Sequence, residues 1–220
     1  MALCRDSVRY DDGVEGVSAF ILAGGRSSRM GTDKALLPLG GENLLLNALG
    51  KAREVTPTPT IVGSRARYSS YGDVVEDRFP DCGPLGGIHA ALCATQTDLN
   101  LVLSVDMPLM TAGFLCWLVQ LAASGEELTV VPEAQRRLQP LCAVYRRRAQ
   151  CVIEQALKSG DLKVDHIFSL VPTRYVKEAE LLAAGFSPDI FCNVNTRAEY
   201  EVVNQMQRQG PMQGSEDRNK

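Results

Sequence analysis

The chain has 220 residues, enough for one domain with a sizeable core. Its net charge is −3, which excludes a nucleic-acid binder that works through overall basic charge. Hydrophobic residues make up 45% of it, but no apolar stretch reaches membrane-spanning length, and the first residues lack the charged-then-apolar order of a secretion signal.

Val17 to Leu22 is an apolar run that reads as a buried strand. It leads into Ala23-Gly24-Gly25-Arg26-Ser27-Ser28-Arg29-Met30-Gly31-Thr32-Asp33-Lys34. Leu44, Leu45, Ala48, Leu49 and Ala52 recur at helical spacing, with Asn43 placed to cap them. Pro57 and Pro59 close that region, and the short strands Thr60–Val62 and Val74-Val75 follow. Gly83-Pro84-Leu85-Gly86-Gly87 opens an alanine-rich helix expected from about Gly86 to Thr95. Leu99 to Val105 is the next strand, and Thr111 caps a helix from Ala112 to Ala123. Strands are expected at Leu128–Val131, Leu141–Tyr145 and Val171–Val176, and a helix from Arg146 to Lys158 that Ser159-Gly160 ends. Thr196 caps a final helix from Arg197 to about Met206. This alternation predicts an α/β fold with a largely parallel sheet. With no internal repeat and no interior linker, residues 17–206 read as a single domain, after an N-terminal extension (1–16) and before a disordered tail (207–220).

Seven cysteines are scattered without a Cys-x-x-Cys pair, so they read as reduced, buried thiols of a cytoplasmic protein and not as a zinc site. His89 and His166 have no partner at metal-ligand spacing and read as structural or surface residues. Arg136-Arg137 and Arg146-Arg147-Arg148 read as solvated charge.

Three stretches carry chemistry. The first is the loop after the opening strand. Glycines let backbone N–H groups approach a ligand, and Arg26, Arg29 and Lys34 add positive charge. Its spacing fits neither the P-loop nor the dinucleotide fingerprint. It suits a polyphosphate held at the carboxyl end of a strand. The second is Ser104-Val105-Asp106-Met107-Pro108, where Asp106 either holds Mg²⁺ beside that polyphosphate or starts a turn. The third is Gly83 to Gly87, either a backbone surface that reads a base edge or an ordinary helix entry. Asp77 just before it contacts base or ribose, or pairs with Arg78.

Together with Gln139-Pro140-Leu141 and Asn193-Val194-Asn195-Thr196, these stretches resemble the molybdenum cofactor guanylyltransferase family over roughly residues 17 to 206. The resemblance implies a three-layer α/β/α nucleotidyltransferase fold, Rossmann-like and GT-A-like, with a mostly parallel mixed sheet. It implies transfer of GMP from GTP to molybdopterin bearing molybdenum, with Mg²⁺ as cofactor and pyrophosphate released. By the same resemblance Lys34, Asp106 and Arg29 are catalytic, and Asp106 is the metal ligand. Leu22, Ala23, Gly24, Gly25, Lys34, Gly63, Asp77, Gly83, Pro84, Leu85, Gly87 and Asp106 bind nucleotide. Gln139, Pro140, Asn193 and Asn195 bind the acceptor, across the crevice from the phosphate loop. Partners are GTP, molybdopterin and other proteins of molybdenum cofactor synthesis, with no nucleic acid and no membrane. Some members carry asparagine where this chain has Gly63, so a side-chain contact to the nucleotide is missing there. That keeps open a related transferase using CTP or another small phosphate acceptor. A non-catalytic cofactor-binding homologue is the more distant alternative, against which the intact Lys34 and Asp106 argue.

Overall fold

A computed structural model describes residues 16–24 and 33–209. Its opening strand β1 (Val17–Leu22) is followed, from residue 33 on, by a helical turn at Lys34–Leu36. The small hairpin β2 (Pro38–Leu39) and β3 (Glu42–Asn43) leads into α1 (Leu44–Ala52). Asn43 caps that helix, its Oδ1 accepting Leu46 N–H at 2.8 Å. Next come β4 (Thr60–Val62), the single-turn α2 (Arg65–Tyr68), β5 (Val74–Val75), α3 (Gly83–Ala94) and β6 (Leu99–Ser104). Helix α4 (Ala112–Ala123) precedes β7 (Thr129–Ala134), β8 (Arg137–Leu138) and β9 (Cys142–Arg146). The chain closes with α5 (Gln150–Ser159), α6 (Val164–Leu170), β10 (Thr173–Val176), α7 (Glu178–Ala183) and α8 (Arg197–Gln209).

The sheet order is β10-β7-β9-β6-β1-β4-β5, with β8 paired to β7. Every pairing along that path is parallel except those of β9, which runs against both β6 and β7. The chain moves outward from β1 to β4 and β5, then returns to β6 on the other side of β1. Strand order therefore reverses between β1 and β6, the place where open α/β sheets bind ligands.

Side chains on a strand alternate between faces, and the core divides accordingly. Ile21 of β1 and Leu101 and Leu103 of β6 pack with α1 and α4. Phe20, Leu22 and Val102 pack on the opposite face with α3, α5 and α6. The result is three layers, helices on both faces of a mixed, mostly parallel sheet. Every residue of β6 is buried, as befits a central strand covered on both sides.

Several local expectations change. Helix α3 begins at Gly83, three residues before the expected start near Gly86. The last helix reaches Gln209, past the expected end at Met206. Arg146 is not solvated: its guanidinium donates to the carbonyls of Ala122, Gly125 and Glu127 and pairs with Asp98, tying β9 to the turn after α4. The six described cysteines are free, but only Cys142 is buried, and Cys151 and Cys192 are exposed. His89 is buried between α3 and α5, with Gln150 and Glu154 nearby, and burial pushes its pKa down. His166 is exposed and pairs with Asp161.

Candidate active site

Leu22 of β1 and Ser104 of β6 are register partners, so Ala23-Gly24 and Val105-Asp106 leave the sheet side by side. Val105 N–H donates to the Leu22 carbonyl at 3.2 Å, and Ala23 N–H to the Val62 carbonyl at 3.0 Å. Behind Asp106, its own carbonyl accepts Val194 N–H at 2.9 Å. Lys51 of α1 steadies the turn that follows, donating to the Pro108 carbonyl and to Asn47 Oδ1, each at 2.6 Å. Burial pushes the Lys51 pKa down to about 8.

Lys34 meets Asp106 in front of these strand ends. Its Nζ donates to Asp106 Oδ2 at 2.9 Å and to Asn195 Oδ1 at 3.0 Å. The two ion-pair side chains are 18% and 19% exposed, reachable by a ligand yet partly desolvated. Charges in such a setting act more strongly than on an open surface. Asp33 sets the approach of Lys34: its Oδ1 accepts Ala35 N–H at 3.1 Å and caps the helical turn.

A cleft of about 520 Å³ opens at the ends of β1, β4 and β6; it reaches Ser104, two residues before Asp106, but neither Lys34 nor Asp106 lines it. Leu22, Gly24, Gly63, Asp77, Gly83, Pro84 and Gly87 all line it, as does Leu141. Leu85 does not: its side chain is wholly buried in the core, so only its backbone lies near. Ala23 is likewise buried. Cys82 gives α3 no side-chain cap, which leaves its first N–H groups to other partners. The glycines here permit close packing. A Cβ on Gly86 would lie 2.5 Å from Asp77 Oδ2, and one on Gly87 would lie 3.3 Å from a Leu22 methyl. Asp77 Oδ1 accepts Phe79 N–H at 2.8 Å. Burial raises the Asp77 pKa, opposed by that N–H and by the charge of His89.

Gly63 has a packing reason. A Cβ there would lie 2.8 Å from Cε2 of Tyr68, a buried residue that the sequence pattern did not single out. The four-residue α2 that carries Tyr68 is too short to show a period.

The acceptor-side residues divide. Gln139-Pro140-Leu141 reaches the same edge of the sheet because β9 begins where β6 ends, and Ser104 N–H donates to the Leu141 carbonyl at 2.7 Å. Gln139 N–H donates to the Pro132 carbonyl, and Pro140 offers its carbonyl to the Tyr145 hydroxyl. Asn193 Oδ1 is buried and has no hydrogen-bond partner among the described residues. Asn195 meets Lys34, its Oδ1 accepting from Nζ at 3.0 Å. Its side chain does not cap α8. Thr196 Oγ1 accepts Glu199 N–H, and the Glu199 carboxylate accepts the N–H groups of Asn195 and Thr196, a capping box. Gly25 and Arg29 lie outside the described residues.

The family model described as MobA-like NTP transferase domain matches residues 19–172. A probable molybdenum cofactor guanylyltransferase of Pelotomaculum thermopropionicum is 36% identical, the match covering 81% of this chain and 87% of that one. The molybdenum cofactor guanylyltransferase of Vibrio cholerae is 32% identical over 81% of this chain and 87% of its own. In three dimensions, molybdopterin-guanine dinucleotide biosynthesis protein A of Archaeoglobus fulgidus superimposes with a TM-score of 0.75 at 23% identity, covering 86% of this chain and 97% of that one, which supports the fold. With the family model spanning most of the chain and relatives above 30% identity covering four-fifths of it, the chain belongs to the MobA-like NTP transferases, the family of the molybdenum cofactor guanylyltransferases.

Proposed function

We propose that this chain transfers GMP from GTP to the terminal phosphate of molybdopterin bearing molybdenum, giving molybdopterin guanine dinucleotide and pyrophosphate. The observation that carries the reading is the Lys34–Asp106 pair at the strand ends where the cleft opens. A carrier that only binds a finished cofactor has no use for a cation and a carboxylate placed to meet a triphosphate.

The reaction needs no activated hydroxyl. The acceptor phosphate is already an anion, and one of its oxygens attacks the α-phosphorus as the bond to pyrophosphate breaks. The difficulty is repulsion between anions and the charge that grows on the leaving group. Lys34 would offset that charge from its place on Asp106, and Gly83 and Gly87 of α3 line the cleft. Asp77, half-buried beside Gly86 and lining the cleft, would offer carboxylate oxygens to a base edge that presents donors, as guanine does.

The donor set fits Mg²⁺. Asp106 supplies one carboxylate, and no group of three ligating side chains exists among the described residues. Mg²⁺ takes one or two carboxylates and completes its shell with phosphate oxygens and water. Bound there, the ion would neutralise charge on the triphosphate and the departing pyrophosphate. On the acceptor side, Gln139, Pro140 and Asn193 would meet the pterin, the buried Asn193 Oδ1 as an acceptor in need of a donor. Asn195 would link the two halves through Lys34. The reading carries with it a cytoplasmic enzyme that works beside other proteins of molybdenum cofactor synthesis. No helix among the described residues is long and apolar enough to cross a membrane.

The test is turnover with each of the four nucleoside triphosphates, Mg²⁺ and molybdenum-loaded molybdopterin, read as pyrophosphate release. Release with GTP alone supports the reading. Preference for CTP moves the chain to a cytidylyl chemistry, and no release with any triphosphate overturns it.

A further inference from the structure

Tyr68 is buried, yet its hydroxyl faces acceptors that belong to the site. It lies 3.1 Å from the Ala23 carbonyl and 3.0 and 2.9 Å from the two oxygens of Asp33. A phenol has one proton to give, and here carbonyl and carboxylate share it. Burial, followed by the bond to Asp33 and the charge on it, raises the Tyr68 pKa, with Arg67 opposing in part. The proton therefore stays on the oxygen. Ala23 is the residue that leaves β1, and Asp33 caps the turn that begins with Lys34. One hydroxyl thus joins the end of the first strand to the residue that sets the approach of Lys34.

The ring is held by different contacts from the hydroxyl. It passes over Gly63, where a Cβ would stand 2.8 Å from Cε2 and 3.0 Å from Cδ2. The core needs the ring alone. The oxygen at its tip bonds to Ala23 and Asp33, and Arg67, which pairs with the same Asp33 at 3.5 Å, lies beside it.

We propose that Tyr68 is a positioning residue for nucleotidyl transfer: it holds Asp33, and through it Lys34, at a fixed reach from β1 and Asp106, and residue 63 is glycine in this chain to admit its ring. The proposal rests on the transferase reading above. It assigns Gly63 a steric task in place of a lost nucleotide contact. A small displacement of a charged group from the reacting phosphates is costly in rate even where binding survives, because alignment is needed in the transition state more than in the ground state.

The experiment compares wild type, Tyr68→Phe, Gly63→Ala, Tyr68→Leu and the double variant Tyr68→Leu/Gly63→Ala. Each is measured for kcat and KM in pyrophosphate release, for GTP affinity by calorimetry and for melting temperature. Tyr68→Phe keeps the ring and loses the oxygen; kcat is expected to fall by ~10-fold or more with GTP affinity and melting temperature close to wild type. Gly63→Ala is expected to lower kcat in the wild-type background and to cost nothing further beside Tyr68→Leu, which lacks the ring carbons that a methyl would strike. Unchanged kcat in Tyr68→Phe overturns the proposal. So does a loss of kcat that only tracks a fall in melting temperature, which marks a structural role. An equal cost of Gly63→Ala with and without the ring overturns the steric half. A wild type that releases no pyrophosphate overturns the transferase reading and this one with it, a result distinct from an active wild type with an indifferent Tyr68→Phe.

Discussion

Lys34 Nζ and Asp106 Oδ2 stand 2.9 Å apart across 72 residues of chain. Parallel pairing of β1 with β6 is what brings them there, since it carries both strand ends to one edge of the sheet. Each member of the pair limits the other: the carboxylate orients the ammonium, and the ammonium lowers the cost of a partly desolvated carboxylate.

Lys34→Ala is expected to lower turnover by at least ~10²-fold, the usual cost of one preorganised charge on a developing anion. Its melting temperature should fall by no more than ~4 °C, the equivalent of about 1 kcal/mol in a chain of this size. Steady-state kinetics and a thermal melt on the same preparation check both. A variant that unfolds would assign Lys34 to the fold.

For Asp106→Asn the shape is kept and the charge is lost. Turnover is expected to drop below ~1% of wild type at millimolar Mg²⁺, with the far-UV spectrum unchanged. Near wild-type activity at ordinary Mg²⁺ would remove Asp106 from the metal site.

Asn195 and Thr196 are neighbours with separate tasks. Thr196→Ala removes the cap of α8 and is expected to cost about 1 kcal/mol of stability without a selective effect on either substrate. Asn195→Ala should leave the melting temperature in place and slow guanylyl transfer, because it frees Lys34 from one of its acceptors. Melting temperature, GTP affinity and transfer rate on both variants separate them; identical profiles would show that the two residues act as one cap.

Gly86→Ala sets helix propensity against the site. A methyl in the first turn of α3 gains up to about 1 kcal/mol over glycine in a helix, while it meets the Asp77 carboxylate at 2.5 Å. The carboxylate is the end of a side chain and moves aside. Stability should therefore hold, and GTP affinity should fall by ~10-fold, on the order of one hydrogen bond to a charged group. Calorimetric titration with GTP beside a denaturant melt decides it, and unchanged affinity would take Asp77 out of base recognition.

Arg146→Met tests a residue with no part in catalysis. It leaves three carbonyls without their guanidinium donor, and the expected loss is about 2 kcal/mol, with GTP affinity unaltered. Urea unfolding measures it. No loss would mean that water replaces the guanidinium without cost.

The strands that build the site were legible because they are apolar runs bounded by glycine, proline or aspartate. β1, β4, β5 and helix α4 fall on the residues that the pattern marks. The start of α3 was read three residues late, since Gly83-Pro84 reads as a turn; in the fold the proline sits in the first helical turn, where its missing N–H costs nothing. The reversed direction of β9 left no trace, because a fully buried run looks the same in either sense. Elements of a few residues, such as α2 and the hairpin of β2 and β3, are shorter than the periods by which sequence shows them. In the site, Lys34 and Asp106 were readable from residue type and position. The contact between Lys34 and Asn195, 161 positions apart, and the link from Tyr68 to Ala23 depend on distant packing that no local window contains.

The contact of Asn195 with Lys34 also has a meaning in time. A ribosome makes Lys34 early and its amide partner 161 residues later. The strands that frame the cleft are complete by Arg146, but the segment that pins Asp106 through Val194 and meets Lys34 through Asn195 follows every helix except α8. A chain stopped short of residue 193 would keep the strand ends that frame the cleft and lack both fastenings, Val194 on Asp106 and Asn195 on Lys34.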